Sequence, residues 1–346
     1  MFKNRKVLVY LLVIVSTLAA TFTFYFWQLA NSPNLNVQGE KTFVLYIPKN
    51  ATYDTVLDSL RAHKMITDEV SFGFLSKRMS YRENINSGRY EIPASSSNKE
   101  ILSKLKNGEQ DPVKLTFNNI RTKADLIKKL GSKMAFNPDE LYKKLNDEAV
   151  CEKYGFTKET IMSMFLPDTY FIYWDLPVDG FLDRMKSEYK TFWNKDRLQK
   201  AQNINMTPSQ VATMASIVQS ETNKTDEMPK VAGVYVNRIA TGMPLQADPT
   251  VKFAVGDFSI KRILSKHLSV DSPYNTYKYQ GLPPGPIALP ERKAIDAVLN
   301  YQKHDFTYFC AKEDFSGYHN FAVNYTEHLQ NANKYQKALN ERGIMK

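Results

Sequence analysis

The chain has 346 residues, 43% hydrophobic and 24% charged, which is enough apolar matter for two ordinary domains and too much for a disordered chain. Fourteen glycines and 16 prolines exclude collagen-like and low-complexity architectures, and two cysteines cannot staple a disulfide scaffold. Forty-six basic against 36 acidic residues leave +10, a surplus that would suit nucleic acid, anionic lipid or an acidic polymer.

The first predicted element narrows that choice. Val7 to Ala30 are 24 residues without a charge, about 36 Å of helix against a hydrocarbon core of about 30 Å. Lys3, Arg5 and Lys6 precede the run and the next charge is Glu40. The positive-inside rule therefore puts residues 1–6 in the cytoplasm, residues 7–30 across the membrane and the rest outside, on the periplasmic face. A cleaved signal peptide is the rival reading. The run is longer than the usual apolar stretch of such peptides, and no small-residue cleavage site follows it. Without the three leading cations the exported part holds 43 basic against 36 acidic residues, +7. It meets cell wall and lipid, so nucleic acid is not an expected partner. Cys151 and Cys310 face an oxidising compartment, where a pair and two buried thiols both remain open.

Residues 31–40 read as a polar, Pro-containing linker. A repeat follows. Ile47-Pro48-Lys49-Asn50 through Leu60 aligns without gaps, 45 positions later, with Ile92-Pro93-Ala94-Ser95 through Leu105. Each copy reads as strand, Pro stop, polar cap and amphipathic helix, although such units also recur by chance. A fainter third copy is expected from Leu115-Thr116-Phe117 to Leu130. Ile66 to Met79 predicts another helix, and Ser87-Gly88-Arg89-Tyr90 a turn entering a strand. These elements make one small α+β unit over 41–112 and leave 113–346 as a larger α+β domain.

Within the larger domain, Thr207 to Thr222 predicts a helix with Thr207 as N-cap and Pro208 in its first position. Val211, Met214, Ala215 and Val218 form a buried stripe at helical spacing. At about 100° per residue, Glu221 falls within roughly 20° of Met214 and so belongs to that stripe. Desolvation raises the pKa of such a carboxylate, as a general acid requires. The plainer alternative is an edge residue where the helix emerges into water. Gln219 points away from the stripe. Asp226 and Glu227 are expected to cap the next helix, which runs to about Thr241 and stops at Gly242.

A family resemblance enters on these residues. Ala215-Ser216-Ile217-Val218-Gln219-Ser220-Glu221-Thr222, then Val231-Ala232-Gly233-Val234-Tyr235-Val236-Asn237-Arg238 and Leu245-Gln246-Ala247-Asp248-Pro249-Thr250, resemble the membrane-anchored endolytic murein transglycosylases of the MltG, or YceG-like, family. Phe165-Leu166-Pro167-Asp168-Thr169-Tyr170, Ser272-Pro273-Tyr274-Asn275-Thr276-Tyr277, Gly281 to Ile287, and His319-Asn320-Phe321 with Asn324 and His328 extend the likeness over residues 41 to 335. The resemblance implies Glu221 as catalytic acid, a LysM-like N-terminal unit, and cleavage of peptidoglycan glycan strands near the membrane. The family often carries a second acid two residues before the catalytic one, where this chain has Gln219.

The supporting candidates keep two readings each. Gln246, Asp248 and Thr250 occupy a Pro-flanked loop suited either to sugar hydroxyls or to ordinary turn-making. Tyr274, Asn275 and Tyr277 offer rings and an amide to a sugar, or simply pack. Asp168 is a turn residue, an N-cap or a partner of the acid. His319, beside Asn320, positions substrate, relays a proton or is structural. Five histidines without H-x-x-x-H spacing, and no Cys pair set for zinc, predict neither metal nor cofactor. No G-x-S-x-G, G-x-x-x-x-G-K-[ST] or G-x-G-x-x-G occurs to support a serine hydrolase or a nucleotide-binding protein.

The expected function is a lytic transglycosylase in which Glu221 protonates the glycosidic oxygen after N-acetylmuramic acid. The same carboxylate then takes the proton of that sugar's C6 hydroxyl, closing a 1,6-anhydro ring. The alternatives are a two-carboxylate hydrolase using Asp248 or Asp168, a non-enzymatic scaffold holding nascent glycan, and a lipid-binding basic face. Peptidoglycan strands, the membrane through residues 7–30, and peptidoglycan synthases or division proteins are the candidate partners.

Overall fold

A computed structural model describes residues 2–35, 41–131, 133–260 and 262–343. The uncharged run lies within α1 (Phe2–Asn31), one helix long and apolar enough to cross a membrane. Of the predicted linker, residues 36–40 lie outside the described residues. The chain divides into two units, the first formed by 1–115 with the returns 133–135 and 170–176, the second by the remainder.

In the first unit β1 (Thr42–Ile47) leads to α2 (Tyr53–Ala62) and α3 (Glu69–Arg78); β2 (Gly88–Pro93) leads to α4 (Asn98–Asn107). β1 and β2 pair antiparallel, with Leu45 opposite Tyr90. Alternate residues face inward, so Phe43, Leu45, Ile47, Tyr90 and Ile92 join Leu60, Phe72, Ile101 and Leu105 in one core. The repeat holds at atomic detail. Thr52 and Ser97, 45 positions apart, are both N-caps closed by capping boxes, and the two helices they start are each 10 residues long.

The expected third copy does form a strand, β3 (Val113–Thr116), and a helix, α5 (Lys123–Gly131). β3 pairs with β4 (Thr169–Ile172), and α5 belongs to the second unit. Between them in sequence, α6 (Pro138–Leu145) and α7 (Glu148–Lys153) follow α5. Cys151 is buried in α7 and Cys310 is half-buried; both are free thiols.

The rest of the second unit is α8 (Val178–Phe192), α9 (Lys195–Asn203), α10 (Pro208–Glu221), α11 (Met228–Ala240), α12 (Asp248–Val255), the short α13 (Ser265–Leu268), α14 (Arg292–Leu299), the hairpin β5 (Tyr308–Ala311) with β6 (His319–Ala322), and α15 (Tyr325–Glu341). The predicted stripe on α10 understates its burial. Every residue from Val211 to Val218 is buried, because α9, α11, α12 and α14 contact the helix from several sides. Polar positions there survive through backbone partners: Ser216 Oγ donates to Thr213 O and accepts the amide of Ile287. α11 lies so close to the following chain that a Cβ on Gly233 would collide with the carbonyl of Gln302. The side chains at the end of α10 are thus held by a core with little room to shift.

Candidate active site

α10 starts as predicted, with Thr207 and Gln210 forming a capping box and Pro208 in the first turn. It stops after Glu221 because Thr222 turns to extended backbone, φ −140° and ψ 139°. Glu221 therefore ends the helix, half-buried, where the unpaired carbonyls of the last turn disfavour a negative charge. Its Oε1 accepts a 2.8 Å hydrogen bond from the Tyr235 hydroxyl of α11. Burial pushes the Glu221 carboxyl up to about 7; the Tyr235 bond opposes that rise, the charge of Asp248 adds to it, and Arg238 and Lys252 draw it down. Tyr235 is itself buried, and loss of solvent together with the adjacent carboxylate raises its phenol well above the ordinary value.

Two loops, with the first turn of α12 that follows one of them, carry the next group of predicted residues; Asp248 and Thr250, expected in a loop, lie in that helical turn. Gln246 takes a left-handed backbone conformation, φ 46°, and its amide donates to Thr276 O at 3.0 Å. Its side chain is exposed. Thr250, fully buried, donates to Ala247 O, and its hydroxyl lies 2.8 Å from that of Thr276. Asn275 is buried with both ends of its amide in use: Nδ2 donates to Leu268 O and Val270 O, and Oδ1 accepts from the Tyr277 amide. These residues knot the loops together and aim Tyr277, whose hydroxyl donates to Asp248 Oδ1 at 2.7 Å. Burial first, and then the Asp248 bond, raise the Tyr277 phenol. Among the described residues, buried Arg238 has no carboxylate partner and donates instead to Leu245 O and Thr307 O.

Glu227 was expected to cap α11. It occupies the cap position, but its side chain makes no capping bond. Its carboxylate accepts from the Thr222 hydroxyl at 3.0 Å, from the His319 amide at 2.8 Å and, at 2.8 Å, pairs with His319 Nδ1. This ties β6 to the residue that follows Glu221. Asp226 accepts from the Tyr318 hydroxyl.

Three hollows are lined by residues at or near the end of α10. One of about 540 Å³ is lined by Glu221, Thr222, Asn223, Lys224, Tyr318 and His319, among others. The next, about 810 Å³, shares Asn223 and continues along Gln219, Arg121, Lys252 and Lys293. A third, about 420 Å³, shares Asn119, Gln219, Leu289, Glu291 and Lys293 with the second and reaches Asp168 and Arg292. The hollows neighbour one another through these shared residues near the end of α10, and Glu221 lines the first of them.

Other predicted residues lie apart from the carboxyl or face elsewhere. Asp168 forms an ion pair with Arg292 at 2.6 Å in the third hollow. Tyr274 packs its ring on Phe253, centroids 4.7 Å apart, and its hydroxyl is near Gly285. Asn320 donates to Glu313 on the opposite face of the hairpin from His319. Gln219, in place of the family's frequent acid, accepts from the Glu291 amide at 2.7 Å. Sequence reasoning missed Tyr235, Arg238 and Glu227 as site residues, since periodicity makes the first a core tyrosine and the others helix-end charges.

Residues 45–334 match the model of the YceG-like family. The chain is 26% identical over 317 residues to the endolytic murein transglycosylase of Bacillus subtilis, covering 87% of each chain. It is 26% identical over 339 residues to the endolytic murein transglycosylase of Streptococcus pneumoniae, where it spans 60% of the relative's length. Among solved structures, a yceG-like protein of Listeria monocytogenes aligns with TM-score 0.55 at 26% identity, over 84% of this chain and 99% of that one.

Proposed function

The chain belongs to the YceG-like family, and from that premise we propose that it is a membrane-anchored lytic transglycosylase acting on peptidoglycan glycan strands, with Glu221 as its single acid and base. The observation that carries this reading is the Glu221 carboxyl itself. Raised to about 7 and hydrogen-bonded to Tyr235, it is about half protonated at neutral pH and lines a hollow. Protonated Glu221 gives its proton to the glycosidic oxygen as the bond to N-acetylmuramic acid breaks. The resulting carboxylate is stabilised by the Tyr235 hydroxyl and by the charges of Arg238 and Lys252. It then accepts the C6 hydroxyl proton as that oxygen closes on the anomeric carbon. The proton count is balanced and no water enters.

An endolytic enzyme must hold polymer on both sides of the cut; Glu221 lines one hollow, and a second shares Asn223 with it. Asp168 is neutralised by Arg292, which argues against it as the second carboxylate of a hydrolase. Asp248 retains that possibility through its Tyr277 contact. The first unit, with its own core, would be the LysM-like module facing glycan. The orientation of α1, cytoplasmic at its start, is read from Lys3, Arg5 and Lys6.

Digestion of purified glycan strands by the full chain, followed by mass spectrometry, tests the chemistry. The proposal predicts 1,6-anhydro ends, lighter by one water than reducing ends, and no cleavage by Glu221→Gln. Reducing ends would assign the hydrolase; cleavage-free binding by the wild type would assign the scaffold.

A further inference from the structure

The first unit carries an apolar face that its core does not use. α3 turns Phe72 and Ser76 inward, yet Val70 is 83% exposed and Phe74 is 50% exposed. Four residues apart, the two share one side of the helix, and Lys77 and Arg78 follow near its end. Phe74 is not alone there. Its ring stacks on Phe26 of α1, with centroids 5.6 Å apart and planes 29° apart.

That approach is fixed by a buried polar clasp. Asn98 Nδ2 donates to Leu29 O at 3.1 Å and to Ser71 Oγ at 2.9 Å. Asn34 Nδ2 donates to Asn98 Oδ1 and to Asp68 O, while Asp68 N donates to Asn34 Oδ1. Asn34 and Asn98 are both buried. Breaking the clasp would strand buried amides, so the last turn of α1, α3 and α4 hold one arrangement.

The arrangement sets a depth. If hydrocarbon begins at Val7, a core of about 30 Å is crossed after about 20 residues, near Phe26. Tyr25, Phe26 and Trp27 form the aromatic cluster expected at a membrane–water boundary. Phe74 stacks at that level, and Val70 lies one turn away on the same side.

We propose that the Val70–Phe74 face of α3 sits in the lipid boundary from which the rest of the chain emerges, with Lys77 and Arg78 reaching anionic headgroups. The first unit is then laid on the bilayer by one helix and tethered to it by another, which fixes its height and orientation. This rests on α1 as a membrane-spanning helix.

The test places a nitroxide at Val70→Cys in the full chain, with Cys310→Ser and the buried Cys151 retained, in phosphatidylethanolamine–phosphatidylglycerol vesicles. Labels at Val15→Cys in α1 and Asp58→Cys on exposed α2 are the references. The ratio of collision with oxygen to collision with a water-soluble nickel chelate is expected to be several-fold higher at 70 than at 58, and highest at 15. Equal ratios at 70 and 58, with 15 in lipid, overturn the proposal and leave the anchor standing. A water-exposed label at 15 removes the anchor and the proposal together. A label at 70 shielded from both probes only at high protein-to-lipid ratio would assign the face to a second copy, and would overturn it as well.

Discussion

Glu221 and Glu227 stand six residues apart in the sequence, one ending α10 and the other immediately preceding α11, and differ in what reaches their oxygens. Glu227 is buried and satisfied by the Thr222 hydroxyl and both His319 nitrogens that face it. Among the described residues Glu221 has one neutral donor, Tyr235, and Asp248 is near enough to oppose its charge. A carboxylate with several donors is held in one place and works as a strut. One with a single phenol at the negative end of a helix holds its proton and can give it away. The junction thus pairs a structural acid with a reactive one, and the strut aligns the wall of the hollow at His319 with the reactive group.

The largest expected effect separates the two in activity. Glu221→Gln keeps an acceptor for Tyr235 but has no proton to transfer, and should lower cleavage by about 10³-fold while strand binding persists. The reverse applies to stability. Glu227→Ala strands the Thr222 hydroxyl and the His319 amide and should cost about 3 kcal/mol in chemical denaturation. A cost below about 0.5 kcal/mol would mean that the strut is dispensable.

The next effect has a sign fixed by linkage. The folded pKa of Glu221 lies above its unfolded value of 4.5, so its contribution to stability is present below about 4.5 and lost as pH rises through about 7. Glu221→Gln should therefore gain on the order of 2 kcal/mol relative to wild type at pH 8 and almost nothing at pH 4. Denaturation of both proteins at the two pH values measures this; a pH-independent difference would contradict it. For the same reason cleavage should fall above about pH 7.

The smallest effects tune that fall. Tyr235→Phe removes a bond that favours the charged form, so the alkaline limb of the pH–rate profile should move up. Asp248→Asn removes a charge that opposes ionisation, so the limb should move down. Shifts in the same direction would break the assignment of these neighbours.

Much of the first unit was legible because its signals are local. A spacing of 45 residues with a polar cap in each copy announced both α2 and α4, although not their exact ends. α10 was legible at its start for the same reason, through Thr207 and Pro208. Its burial on all sides was not, because that depends on α14, some 70 residues later. Glu227 was read as a cap from its place before α11, yet its partners come from β6, which no local pattern announces. Asn275 shows the same limit from the other side. Its amide looked free for a sugar and is consumed by the backbone of its own loop.

Catalysis by Glu221 turns on the protonation of its carboxyl. Carbon-13 labelling of glutamate carboxyls in the purified full chain, with Glu221→Gln as the blank, isolates its titration. A signal that disappears in the variant and titrates near pH 7 is the predicted result. A Glu221 carboxyl already ionised at pH 5.5, with a midpoint near the ordinary 4.5, would contradict it.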